Sequence, residues 1–158
     1  MNIRMMFALA LVLAAALPLQ ADAIASDPAV VQAVLTANAR LTAAADRLDT
    51  DAFFAGIVDA DETRIIQDGK LFKTRAEAMA AVRQGSQGVA KVERHFENPQ
   101  VSVLAPGVAL LTADGTTMVT LHDGRSFNSR FAVTLVFVLR DSQWQLFHGH
   151  YSLPNPPP

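Results

Sequence analysis

Two histidines, His148 and His150, stand two residues apart near the end of this 158-residue chain, in the run Trp144-Gln145-Leu146-Phe147-His148-Gly149-His150-Tyr151. Side chains two apart on a β-strand project from the same face, so the spacing predicts both imidazoles on the face that carries Trp144 and Leu146. Such a pair can ligate a metal or move a proton. A metal would need a third or fourth ligand from His95 or His122, but His122 falls in a His-Asp-Gly turn and His95 alternates with Lys91, Glu93 and Glu97 on a polar face. No metal is expected on that ligand count. For proton transfer by His150, the candidate partners are Asp68 and Arg130. Asp68 precedes Gly69 and reads first as a turn residue. Arg130 interrupts an apolar strand, where a guanidinium can hold a carboxylate or an enolate. Its alternation partners Ala132, Thr134, Val136 and Val138 form the slimmer face of that strand, whereas Phe131, Val133, Leu135, Phe137 and Leu139 form the bulkier one. The bulkier face is expected to pack on helices, which turns Arg130 outward, toward an interface or a surface ion pair. The chain has no Gly-x-Ser-x-Gly elbow, no His-Glu-x-x-His, no glycine-rich phosphate loop and no cysteine. Serine-hydrolase, zincin and nucleotide-binding chemistries are excluded, and no cofactor is expected.

The elements that must position these residues can be read from pattern and punctuation. Asp27-Pro28 is a helix start, with Val30, Val31, Val34, Leu35, Leu41 and Leu48 assigned to one face. Asp49-Thr50-Asp51 restarts a short helix whose Phe53 and Phe54 pair one turn on with Ile57 and Val58. Thr63 to Gln67, the Asp68-Gly69 turn and Leu71-Phe72 make a small hairpin, and Thr74-Arg75-Ala76-Glu77 is a capping box that opens a third helix ending near Gly85. From Val89 onward the chain reads as strand and turn: Val89 to Glu97, Gln100 to Leu104, Val108 to Leu121, Ser126 to Leu139 and Trp144 to Tyr151. Asn98-Pro99, Pro106-Gly107, His122-Asp123-Gly124 and Asp141-Ser142 punctuate them, and Asp114-Gly115 is a further candidate break. Helices first, then an antiparallel meander, make an α+β domain.

The first residues have another character. Met1-Asn2-Ile3-Arg4 is a basic start, residues 5–19 are apolar almost throughout, and Ala21-Asp22-Ala23 has the small-x-small pattern of signal-peptidase sites. We expect cleavage after Ala23 and a periplasmic or secreted mature protein, with residues 24–153 as one domain and residues 154–158 as a proline-rich tail. The mature part would keep 12 of the 13 basic and 14 of the 15 acidic residues, a net charge of −2. Neither the charge nor any basic run favours nucleic acid or a lipid surface as a partner.

Long helix, short helix, hairpin, third helix and a long curled sheet, in that order, resemble the nuclear transport factor 2-like superfamily, and in particular its stand-alone SnoaL-like, ketosteroid-isomerase-like domains. The resemblance covers about residues 27–153. Its most specific part is Trp144 to Ser152, similar to the closing strand of these domains, together with Asp68-Gly69-Lys70 ahead of Thr74-Arg75-Ala76-Glu77. It implies a cone whose helices close one side of a curved sheet around a pocket, and many possible functions. Asp68 lies near the position of the family's catalytic base. The two acidic donors of a ketosteroid isomerase have no counterpart, because the first helix lacks tyrosine and residues 126–139 hold no Asp or Glu.

The leading expectation is therefore an exported domain that binds a small apolar or weakly acidic molecule, lined by Phe53, Phe54, Trp144, His148 and His150. A cofactor-free lyase or isomerase using His150 with Asp68 or Arg130 is the alternative, and a structural dimer without ligand is a third. The strand from Phe131 to Leu139 is apolar on both faces apart from Thr134. Three helices can cover only one face, so a homodimer through the other is expected.

Overall fold

Asp27 starts the first helix by accepting a hydrogen bond from the Ala29 amide at 2.8 Å, and Pro28, which needs no amide partner, occupies the first turn. The structure is a computed structural model and describes residues 27–153; the expected signal segment and proline-rich tail lie outside those residues. Helix α1 (Pro28–Asp46) buries Val34, Ala37, Leu41 and Ala44, a three-and-four spacing that forms one stripe. Leu48, assigned to that stripe from the sequence, lies beyond the helix end in a turn with φ of 57°. Helix α2 (Thr50–Ala55) is capped by Asp49, which accepts from the Ala52 amide at 3.0 Å, and it drives Phe54 into the core.

Strands β1 (Arg64–Gln67) and β2 (Lys70–Phe72) form the expected hairpin. Asp68 and Gly69 both take positive φ, the requirement of the tight two-residue turn that matches strand twist. Helix α3 (Arg75–Gly85) opens on its capping box. The Glu77 amide donates to the Thr74 hydroxyl at 3.1 Å, while the Glu77 carboxylate accepts from the Lys73 amide at 2.9 Å.

Four long strands follow: β3 (Val89–Ala105), β4 (Val108–Leu121), β5 (Ser126–Arg140) and β6 (Gln143–Ser152). They pair antiparallel in chain order, and β1 joins β6 in parallel, so the six-stranded sheet runs β2-β1-β6-β5-β4-β3. Asn98-Pro99 does not divide β3. The pairing with β4 shifts register between Glu97 and Gln100, and an edge strand tolerates the amide that proline lacks. Asp114-Gly115 likewise leaves β4 unbroken.

The sheet curls around the helices. Val34, Phe54, Leu111, Leu135, Phe137 and Leu146 are at most 1% exposed and fill the narrow part of this cone. At about 25 cal/mol per Å2, fully burying each such side chain stabilises the fold by roughly 1.5–3 kcal/mol. Phe131, Val133, Leu135 and Phe137 all belong to this core, as the alternation of β5 requires.

Candidate active site

The last strand carries a β-bulge that changes what the sequence pattern implies. Leu146 pairs with Phe137 but His148 pairs with Val136, so Phe147 is the extra residue and the alternation of faces restarts after it. Trp144 and Leu146 face the helices before the bulge, and Gly149 and Tyr151 do so after it. His148 and His150 therefore stand on the opposite, outer face, beside Val136 and Thr134. The expectation that they share a face with Trp144 and Leu146 is corrected by this one extra residue.

The other expected acid–base partners are not brought to His150. Arg130 lies on the outer face of β5, where it bonds the Asp114 carboxylate at 2.6 Å and that of Glu97 at 3.3 Å. Both anions, Glu97 first, raise its pKa from an already high value, so its charge is committed to an exposed ion triad. Asp68 sits in the β1–β2 turn and accepts from the Leu153 amide at 3.2 Å, tying the end of β6 to the hairpin. Phe54 is wholly buried and Phe53 packs on it edge to face at a centroid distance of 5.3 Å. Both are core residues. Among the described residues no group of three or more His, Cys, Asp or Glu could hold a metal.

The helix-facing surface of the sheet holds different polar groups. Register places Val92, Arg94 and Phe96 of β3 opposite Val119, Thr117 and Gly115 of β4, and these opposite Phe127, Ser129 and Phe131 of β5. Val92 and Phe131 are buried, which fixes this as the inner face. Phe96 and Phe131 meet edge to face at 5.1 Å. Phe127 lies further along the same face and is 53% exposed.

Arg94 stands on this inner face and is held by Asp46, the last residue of α1, at 2.6 Å. The two side chains are only 28% and 27% exposed. Tyr151 projects inward from β6. Removal of water raises its phenol pKa, and the charge of Arg94 pulls the other way more weakly. Arg94 and Tyr151 are three strands apart in the sheet, and both project from its inner face. Asn38, 7% exposed, adds a polar side chain to the buried stripe of α1. The arrangement offers a fixed cation, a neutral phenol that can donate, and aromatic walls. A small molecule with an apolar body and one electron-rich oxygen would find complementary groups here.

Arg94 and Asn38 were legible in principle. Arg94 alternates with Val92 and Phe96, the apolar side of β3, and Asn38 lies four residues after Val34 on the apolar stripe of α1. A polar residue at an apolar phase was the signal.

The fold agrees with the family comparison, in which the SnoaL-like domain profile matches residues 34–156, more than three-quarters of the chain. The chain belongs to the SnoaL-like domain family. As an SnoaL-like domain it has the curved, unclosed sheet of the nuclear transport factor 2-like superfamily, as the sequence resemblance implied. Among solved structures it is similar to a candidate dehydratase of the NTF2-like family from Streptomyces avermitilis, with a TM-score of 0.72 at 18% identity over 81% of this chain and 99% of that one. An NTF2-like superfamily protein from Salmonella enterica gives a TM-score of 0.71 at 17% identity, over 80% of this chain and 92% of that one. A candidate scytalone dehydratase from Novosphingobium aromaticivorans gives 0.69 at 10% identity, over 80% and 85%. At these identities the likeness shows the fold. No curated protein matches the chain.

Proposed function

We propose that this SnoaL-like domain binds a small, largely apolar molecule with an anionic or enol-like oxygen in the wide part of its cone. The observation that carries the reading is Arg94, a guanidinium between Val92 and Phe96 on the inner face, oriented by Asp46, with Tyr151 projecting from the same face of the sheet. An inward arginine with one acidic partner keeps donors for a second anion, and a phenol kept neutral by burial can donate to the same oxygen. Phe96, Phe127 and Phe131 supply the apolar wall. Binding is favoured over proton transfer, because His150 is separated from the hollow by the sheet itself and Asp46 is engaged by Arg94.

We further propose the setting in which it acts. The basic and apolar start of the chain supports export, and the apolar outer residues of β5 with Leu110 of β4 support pairing of two sheets in a homodimer. The test of binding is a thermal-shift series of the mature domain with hydrophobic carboxylates, phenols, ketones and sterols, repeated on Tyr151→Phe. A ligand at a hundred times its Kd stabilises by about 2.7 kcal/mol, a rise on the order of 10 °C for a domain of this size. Carboxylates or phenols should produce that rise in the wild type and a smaller one in Tyr151→Phe. No shift from any of the four classes would refute the reading.

A further inference from the structure

A second hollow lies at the other side of α1, away from Arg94 and Tyr151. It has a volume of about 220 Å3 and opens between α1, α2 and the start of β6, with Leu41 and Gly56 at its floor and Arg40, Gln143, Trp144 and Gln145 around it. Arg40 is the one charged residue of the lining. It makes no ion pair among the described residues, unlike Arg75, Arg83, Arg94, Arg125 and Arg130. The indole of Trp144 is half-buried against the core and turns part of its surface to the cleft.

We propose that this cleft is a second binding site, for a small carboxylate with an apolar body. The cation selects charge, since the lining contains no acid to compete for Arg40, and a planar guanidinium matches a carboxylate with two parallel hydrogen bonds. Trp144 and Leu41 take the apolar body, and the amides of Gln143 and Gln145 offer further donors at the rim. The site shares no residue with the hollow at Arg94, so it stands or falls independently of the function proposed there.

Trp144 is the only tryptophan in the chain, and its fluorescence therefore reports this cleft alone. Benzoate and hexanoate are titrated into the mature protein, with benzamide and hexanamide as uncharged counterparts. The carboxylates should change the Trp144 emission saturably and the amides should not. Arg40→Gln, at an exposed helix position, should weaken the carboxylates about tenfold or more. Arg47→Gln, which removes the same charge outside the cleft, should bind as the wild type does. The proposal is overturned if emission does not respond to either carboxylate, if the amides bind equally, or if Arg40→Gln and Arg47→Gln behave alike. Circular dichroism of both variants confirms that the fold is retained, since neither side chain is buried.

Discussion

Gly115 lies where β3, β4 and Phe131 approach one another closely, and replacing it with alanine tests that packing. A methyl group there would overlap the backbone carbonyl oxygen of His95 on β3 and stand 2.7 Å from Cζ of Phe131. A carbonyl within a strand cannot rotate away as a side-chain tip can. Relief requires β3 and β4 to part, or Phe131 to leave its edge-to-face contact with Phe96. Overpacking of this kind costs about 3 kcal/mol, and loss of the aromatic contact adds about 1 kcal/mol. The stiffer unfolded chain returns roughly 0.7 kcal/mol. The net loss is about 3 kcal/mol, or about 12 °C at ~4 °C per kcal/mol for a domain of this size. Two companion substitutions serve as internal standards. In Gly149→Ala the new methyl meets only the tips of Ile65, Leu135 and Leu146 at 3.3–3.6 Å, so the cost should stay below about 1 kcal/mol. In Gly85→Ala, at the end of α3, nothing lies within 4 Å, and the variant should gain about 0.5 kcal/mol. Calorimetric melts of the three proteins decide the matter. A Gly115→Ala protein melting within about 2 °C of the wild type would refute the close approach of β3, β4 and Phe131 on which the estimate depends.

Other expectations follow from the same contacts. Tyr151, the only tyrosine, should ionise above the ordinary range near 10 in the folded protein and at about 10 in urea, when followed by ultraviolet absorbance. Because the fold favours the neutral phenol, its contribution to stability is fully present below about pH 10 and is lost as pH rises through the folded pKa; a folded tyrosine that titrates below 10 would contradict the burial. Arg130→Ala removes an exposed ion triad and should leave the midpoint of a denaturant melt essentially unchanged, with a clear loss refuting a surface role. Light scattering should give twice the chain mass, and Val136→Lys should lower it toward the monomer by placing an unpaired ammonium in the sheet interface; a wild-type monomer at tens of micromolar would exclude that dimer.

The fold was legible because each element advertised itself locally. Asp27-Pro28, Thr74 with Glu77 and Asp68-Gly69 mark caps and turns whose hydrogen bonds and dihedral angles are present as the residue types require. The continuity of β3 through Asn98-Pro99 was not legible, since proline usually punctuates and here is accommodated by a register shift on an edge strand. The site was much less so. Period-two alternation assigned His148 and His150 to the face of Trp144, and a single bulge at Phe147 reversed them. Gly149, an isolated glycine within the strand pattern, was the signal for such a bulge, but it does not say which residue is extra. Arg130 was turned outward correctly from the bulk of its neighbours, but its acidic partners come from positions 16 and 33 residues earlier and only pairing brings them together. Arg94 and Tyr151 belong to strands at different places in the chain. That both project from the inner face follows from strand register, which the spacing between positions 94 and 151 does not encode.

Binding of the proposed ligand between Arg94 and Tyr151 is tested by nuclear magnetic resonance on the isotope-labelled mature domain. Naphthoate is titrated while backbone amide shifts are recorded. The account predicts saturable changes centred on Arg94, Phe96, Thr117, Ser129, Phe131 and Tyr151. Changes confined to the outer face around His148 and His150, or none at any concentration reached, would contradict it.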